Sequence, residues 1–139
     1  MNAEILSAAL VRDEGLRLTV YDDSLGIPTI GCGRNLKDRG ITRAEAAYLL
    51  SNDISECVND LTASFAWFAG LDEVRQHVVL NMRFQLGPSR FRQFKAMLAA
   101  LSAGDYQAAA DAMKASKWAA QVPARAGRLE LEMRTGVAA

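Results

Sequence analysis

Hydrophobic and polar positions change period twice along this chain. From 3 to 13, Ile5, Ala8, Ala9 and Leu10 share one face at helical spacing. Gly15 follows, and a residue without Cβ ends a helix well, so Glu14 is expected at the helix end. From 17 to 35 the period falls to two. Leu18 and Val20 alternate with Thr19 and Tyr21, DDSLG is a turn signal, and IPTIGCGR returns as a second strand. Pro28 has no N–H for a ladder and predicts an edge position. Gly26, Gly31 and Gly33 predict sharp bends or close backbone approach.

After this small antiparallel sheet the helical period returns. Thr42-Arg43-Ala44-Glu45 is a capping-box pattern. It opens a long helix with Ala46, Ala47, Leu50, Ile54, Cys57, Val58 and Leu61 on its apolar side. At about 20 residues, or roughly 30 Å, such a helix can run from one lobe to another. Asp72 predicts a helix through about Leu86, stopped by Gly87-Pro88. Phe91 to Leu101 predicts another, ended by Ser102-Ala103-Gly104, and Asp105 opens a third through Lys114. Trp118 to Val122 is a short piece, and Pro123 starts a last helix through Arg134, ended by Gly136. The predicted fold class is α+β, with one domain over 1–139. Residues 13–60 form a helix-plus-hairpin lobe and connecting helix, and 1–12 with 61–139 form an all-helical lobe. A cleft between lobes is the expected ligand site.

Composition narrows the chemistry. No apolar run reaches the ~18 residues of a membrane span, so stable membrane insertion is not expected. The N-terminus has Glu4 early and no basic region ahead of an apolar stretch, so no signal peptide is expected. Cys32 and Cys57 lack paired metal spacing and read as reduced core residues. His77, the single histidine, reads as an ordinary helix residue, so no metal or cofactor is predicted. Residues 1–60 carry six Lys/Arg and ten Asp/Glu, whereas 90–139 carry eight and four. That asymmetry suits an anionic polymer on one lobe, or an ordinary mixed surface. No nucleic-acid motif is present.

The stretch DEGLRLTVYDD brackets one strand with four acids. Asp13 and Asp22 read as solvated. Glu14 and Asp23, nine positions apart, are either solvated too or a working pair. If the hairpin folds back over the helix end, two carboxylates can flank a sugar linkage. One protonates the leaving oxygen, and the other activates water or attacks carbon.

Three blocks then carry a resemblance. Glu14-Gly15-Leu16-Arg17-Leu18, Tyr21, Asp23, Gly26, Thr29-Ile30-Gly31 and Gly33 resemble the active-site segment of the phage lysozyme family, glycoside hydrolase family 24. Asn81-Met82, Phe84-Gln85 and Gly87 agree, as do Ser116-Lys117-Trp118, Pro123, Arg125-Ala126, Arg128 and Arg134-Thr135-Gly136. The resemblance implies a lysozyme-like fold and a muramidase. Such an enzyme cuts the β-1,4 bond between N-acetylmuramic acid and N-acetylglucosamine in peptidoglycan, for cell-wall breakdown and host lysis. It implies Glu14 as general acid, with Asp23 and Thr29 handling the attacking water, and an inverting outcome. Phe84 and Gln85 match positions near substrate, and Arg125 matches an arginine that pairs with the catalytic glutamate. Arg125 would favour the ionised carboxyl; it is expected to orient Glu14, with apolar packing of the Leu16 kind offsetting part of the charge effect. Trp118 reads as a core aromatic. Arg17, Arg128 and Arg134 read either as binders of anionic peptide stems or as solvated cations.

The chain departs from longer members of the family between Arg34 and Ile41, where NLKDRG replaces a longer flap. Arg34 stands where such a member has a histidine in a structural ion pair. The rival readings are a non-catalytic peptidoglycan-binding domain, a lytic transglycosylase, and a tail-associated lysozyme. The intact Glu14, Asp23 and Thr29 set favours an enzyme over a binding domain, and Asp23, as a base for water, favours hydrolysis over transglycosylation. The expected partner is the glycan strand, with no nucleic acid. A free monomer is expected to wait in the host cytoplasm for a holin-type lesion and then reach the periplasmic wall.

Overall fold

The computed structural model describes residues 1–139. The chain forms two compact units, Met1–Leu49 and Leu50–Ala139. The first helix, α1 (Ala3–Glu14), is capped by Asn2, whose side chain accepts from Glu4 and Ile5 N–H at 3.0 and 3.2 Å. It ends where Gly15 takes φ +78°, with its N–H on Val11 C=O at 2.8 Å. The sequence places residues 1–12 in the helical lobe; in the structure they belong to the first unit. The reason is local: the side of α1 from Ala3 to Glu14 lines a hollow shared with Cys32 and Gly33.

The sheet has order β1 (Arg17–Asp22), β2 (Pro28–Gly31), β3 (Arg34–Asn35), all antiparallel. Tyr21 faces Thr29 and Asp22 faces Pro28, while Thr29 also faces Asn35. β2 is therefore the central strand, and the edge position expected from Pro28 is corrected. Pro28 is the first residue of β2, where a missing N–H interrupts little of the ladder. Its carbonyl accepts from Leu36 N–H at 2.9 Å.

The short connector is held by a doubly used side chain. Glu45 closes the capping box of α2 (Arg43–Ser64). Its Oε2 accepts from Thr42 N–H at 2.7 Å, and Thr42 Oγ1 accepts from Glu45 N–H at 3.1 Å. The same carboxylate receives the Arg34 guanidinium at 2.5 and 3.1 Å, and Arg34 also donates to Gly40 C=O at 3.1 Å. Arg34 thus ties the end of the sheet to the start of α2. The Arg34 hydrogen bonds, followed by the Thr42 N–H, hold the Glu45 carboxyl down to about 2 from its ordinary 4.5.

The second unit is built on α3 (Glu73–Phe91), α4 (Lys95–Ser102), α5 (Tyr106–Lys114), α6 (Lys117–Gln121) and α7 (Pro123–Thr135), with a 3-10 turn at Phe68–Gly70. The expected stop at Gly87-Pro88 is a kink: Gly87 leaves helical geometry at φ 76°, ψ 170°, and Pro88 restarts a turn through Phe91. The helix expected from Phe91 accordingly begins at Lys95. Phe91 is instead a fully buried core side chain, with Leu61, Val78, Val79, Met82, Met113 and Met133 around the same interior. Trp118 is buried as expected. Cys57 is buried and burial pushes its thiol up, but Cys32 is exposed on the turn between β2 and β3, against the core position expected for it.

One charge cluster enters this interior. Arg83, only 5% exposed, donates to Asp60 Oδ2 at 2.6 Å, and Arg92 donates to Asp60 Oδ1 at 2.6 Å. Both carboxylate oxygens are thus engaged. The Arg92 hydrogen bond, with that of Arg83, holds the Asp60 carboxyl well below its usual range despite opposing burial. Removing one partner leaves a buried guanidinium unpaired. Asp60→Asn is expected to lower unfolding free energy by about 3 kcal/mol, measured by urea denaturation at neutral pH.

The Arg34–Glu45 pair carries its own pH signature. A depressed carboxyl stabilises the fold above its unfolded value near 4.5 and loses that contribution as pH falls toward about 2. The difference in melting temperature between wild type and Glu45→Gln should be constant above pH 5.5. It should shrink between pH 4.5 and pH 2, as followed by circular dichroism; a pH-independent difference would remove this account of the connector.

Candidate active site

The three residues proposed from sequence for chemistry all fall in the first unit. Glu14 is the last residue of α1 and is exposed. Gly15 turns the chain away immediately behind it, and Leu16 is 60% exposed. The apolar cover expected from Leu16 is therefore absent, because the extended ψ of 167° at Gly15 carries the next residue outward. On its other side the Glu14 side chain lies over Gly33, in the turn between β2 and β3. A Cβ built on Gly33 would stand 2.9 Å from Glu14 Oε2, 3.3 Å from Cδ and 3.5 Å from Cγ. Glu14 also borders an open hollow of about 450 Å³ with Ala3, Leu6, Leu10, Cys32 and Gly33.

Asp23 opens the β1–β2 turn and organises it. Its Oδ1 accepts from Leu25 N–H at 2.8 Å and Ile27 N–H at 2.9 Å, while its own N–H donates to Ile27 C=O at 3.0 Å. The Asp side chain thus replaces backbone partners within the turn. Oδ2 makes none of these bonds. Thr29 is 3% exposed in central β2, and its hydroxyl donates to Ile27 C=O at 2.8 Å. With that hydrogen committed, the Thr29 oxygen can only accept from a further partner. Ile27 therefore joins both side chains, through its N–H to Asp23 and its C=O to Thr29.

Phe84, Gln85 and Arg125 lie in the second unit. Gln85 Oε1 accepts from Trp118 Nε1–H at 3.0 Å, which satisfies the one polar atom of a buried indole. Arg125 Nε donates to Asn81 Oδ1 at 2.8 Å. In the sequence Asn81 stands out only as part of a motif, and nothing there points to its hold on Arg125. Phe84, 44% exposed, lines a hollow of about 370 Å³ with Leu50, Ile54, Leu80, Asn81 and Arg125. Of the three cations offered as stem binders, Arg128 is exposed and the other two have other duties. Arg17 sits 4.5 Å from the Tyr21 ring centroid, and Arg134 bridges Asp111 and Glu130 at 2.8 and 2.6 Å. No three His, Cys, Asp or Glu side chains gather as a metal site, and no helix is long and apolar enough to cross a membrane.

Comparison with known proteins agrees with the three sequence blocks. Residues 11–130 match the family described as phage lysozyme. The central spike protein Gp5 of the pre-baseplate of Enterobacteria phage T4 is 31% identical over 94% of this chain, which spans 28% of that protein's length. The endolysin of Salmonella phage P22 is 35% identical, over 82% of each chain. A probable T4-type lysozyme of Dictyostelium discoideum is 28% identical over 89% of this chain and 90% of its own. A family match over most of the sequence, on a small antiparallel sheet followed by helices, is decisive: the chain belongs to the phage lysozyme family of glycoside hydrolases.

Proposed function

We propose that this chain is a muramidase that hydrolyses the β-1,4 bond between N-acetylmuramic acid and N-acetylglucosamine of peptidoglycan. The observation that carries the proposal is the complete Glu14, Asp23 and Thr29 set within one unit of a phage lysozyme chain, with Glu14 open to a polymer. Glu14 in its protonated form gives its hydrogen to the glycosidic oxygen as the C1–O bond breaks. Water adds at C1. Asp23 Oδ2, which makes no bond within the turn, takes the water's proton, while the Thr29 oxygen accepts the other hydrogen and orients the molecule. The products are a new reducing end and a free 4-hydroxyl, and the cycle closes as Asp23 gives its proton to solvent and Glu14 regains one. Phe84 supplies an exposed ring suited to a sugar face, and Arg125 is held in place by Asn81.

The setting we propose is lysis of a bacterial host. The protein works as a monomer on glycan strands, waits in the cytoplasm, and reaches the periplasmic wall when a holin-type lesion opens the inner membrane. Likeness to a protein named endolysin supports this use. Likeness to a baseplate spike protein supports a second one, local opening of the wall by the same chemistry within a virion.

Purified protein added to chloroform-permeabilised Gram-negative cells should clear the suspension. Glu14→Gln should reduce the initial rate at least 100-fold without changing the melting temperature by more than a few degrees. Equal clearing by the two proteins, or none by wild type, would refute the catalytic assignment. It would return the chain to the class of wall-binding domains.

A further inference from the structure

We infer that Gly33 is a positioning residue for the general acid: its missing side chain is the seat on which the Glu14 carboxylate lies. The inference rests on Glu14 being the catalytic acid. Three consecutive atoms of the glutamate, Cγ, Cδ and Oε2, run across the site where a Cβ would stand, at 3.5, 3.3 and 2.9 Å. Ordinary contacts begin near 3.4 Å, so any residue with a Cβ pushes Oε2 away by about half an ångström or more. No hydrogen bond from a neighbouring side chain fixes this carboxylate within the first unit. The carboxylate occupies this place because Gly33 leaves it free of a Cβ.

The contact separates folding from catalysis. Oε2 is the far end of a flexible side chain and can swing aside, so the fold tolerates the added carbon. An acid displaced from the leaving oxygen does not retain its rate, because proton transfer needs heavy atoms within hydrogen-bond reach. Gly33 also has φ +66°, which costs an L side chain stability wherever it occurs. Gly104, in the turn between α4 and α5, has φ +71° and open space where its Cβ would go, and it supplies the control for backbone strain.

The test compares Gly33→Ala, Gly33→Asn, Gly104→Ala and Glu14→Gln for release of reducing ends from uncrosslinked glycan strands across pH. Asparagine tolerates left-handed backbone, so Gly33→Asn keeps the Cβ while relieving the strain. Both Gly33 variants should lose roughly tenfold or more in kcat with little change in KM, and the alkaline limb of their pH profiles should move. Gly104→Ala should lose a similar amount of stability to Gly33→Ala and keep its kcat and pH profile. Wild-type kcat and pH dependence in a folded Gly33→Ala or Gly33→Asn, beside an inactive Glu14→Gln, would overturn the positioning role alone. Activity retained by Glu14→Gln would overturn the reading of Glu14 on which it rests.

Discussion

The end of α1 is the constraint on which the candidate site depends. Gly15 closes the helix with its N–H on Val11 C=O and leaves at φ +78°, so the helix ends with Glu14 as its last residue. One residue later the chain is extended and enters β1 at Arg17. The glutamate is thus fixed at its root by regular helix and left free along its length. The place it takes is one that a second glycine, Gly33 in the β2–β3 turn, leaves free of a Cβ. Two positions without side chains, 18 residues apart in sequence, together set where one carboxylate can stand.

The other end of the hairpin uses a different device. Asp23 spends one oxygen on the N–H groups of Leu25 and Ile27, and Thr29 spends its hydroxyl hydrogen on Ile27 C=O. These bonds hold the turn together, and they also fix the protonation roles left over: one carboxylate oxygen and one hydroxyl oxygen remain as acceptors. A structural use of Asp23 therefore does not compete with a chemical one. The turn orients the side chain at no cost to its second oxygen.

Local chemistry was legible in the sequence, and packing between distant segments was less so. The positions of α1 and β1, the Thr42–Glu45 capping box and the Pro123 helix start depend on neighbouring residues, and each occurs where the pattern puts it, although neither α1 nor β1 buries its apolar face within the unit. Pro28 misled because its position follows from which strands pair, and β3 is only two residues long. Phe91 misled because Pro88 could restart a turn after the kink at Gly87, which a stop signal does not reveal. For the site, spacing marked Glu14 and Asp23, the family resemblance added Thr29, and GCGR hinted at close approach. That Gly33 approaches Glu14, that Asn81 holds Arg125, and that Glu45 serves Arg34 as well as its own helix are facts of three-dimensional contact.

The central claim is that Glu14 and the water held near Asp23 and Thr29 cleave the glycan by hydrolysis. Digesting purified peptidoglycan in water enriched in oxygen-18 and weighing the fragments by mass spectrometry tests it most directly. Hydrolysis predicts muropeptides ending in a reducing N-acetylmuramic acid that carries one heavy oxygen from solvent. Unlabelled 1,6-anhydro ends would contradict the account, since they arise when the sugar's own hydroxyl, and no water, displaces the leaving group.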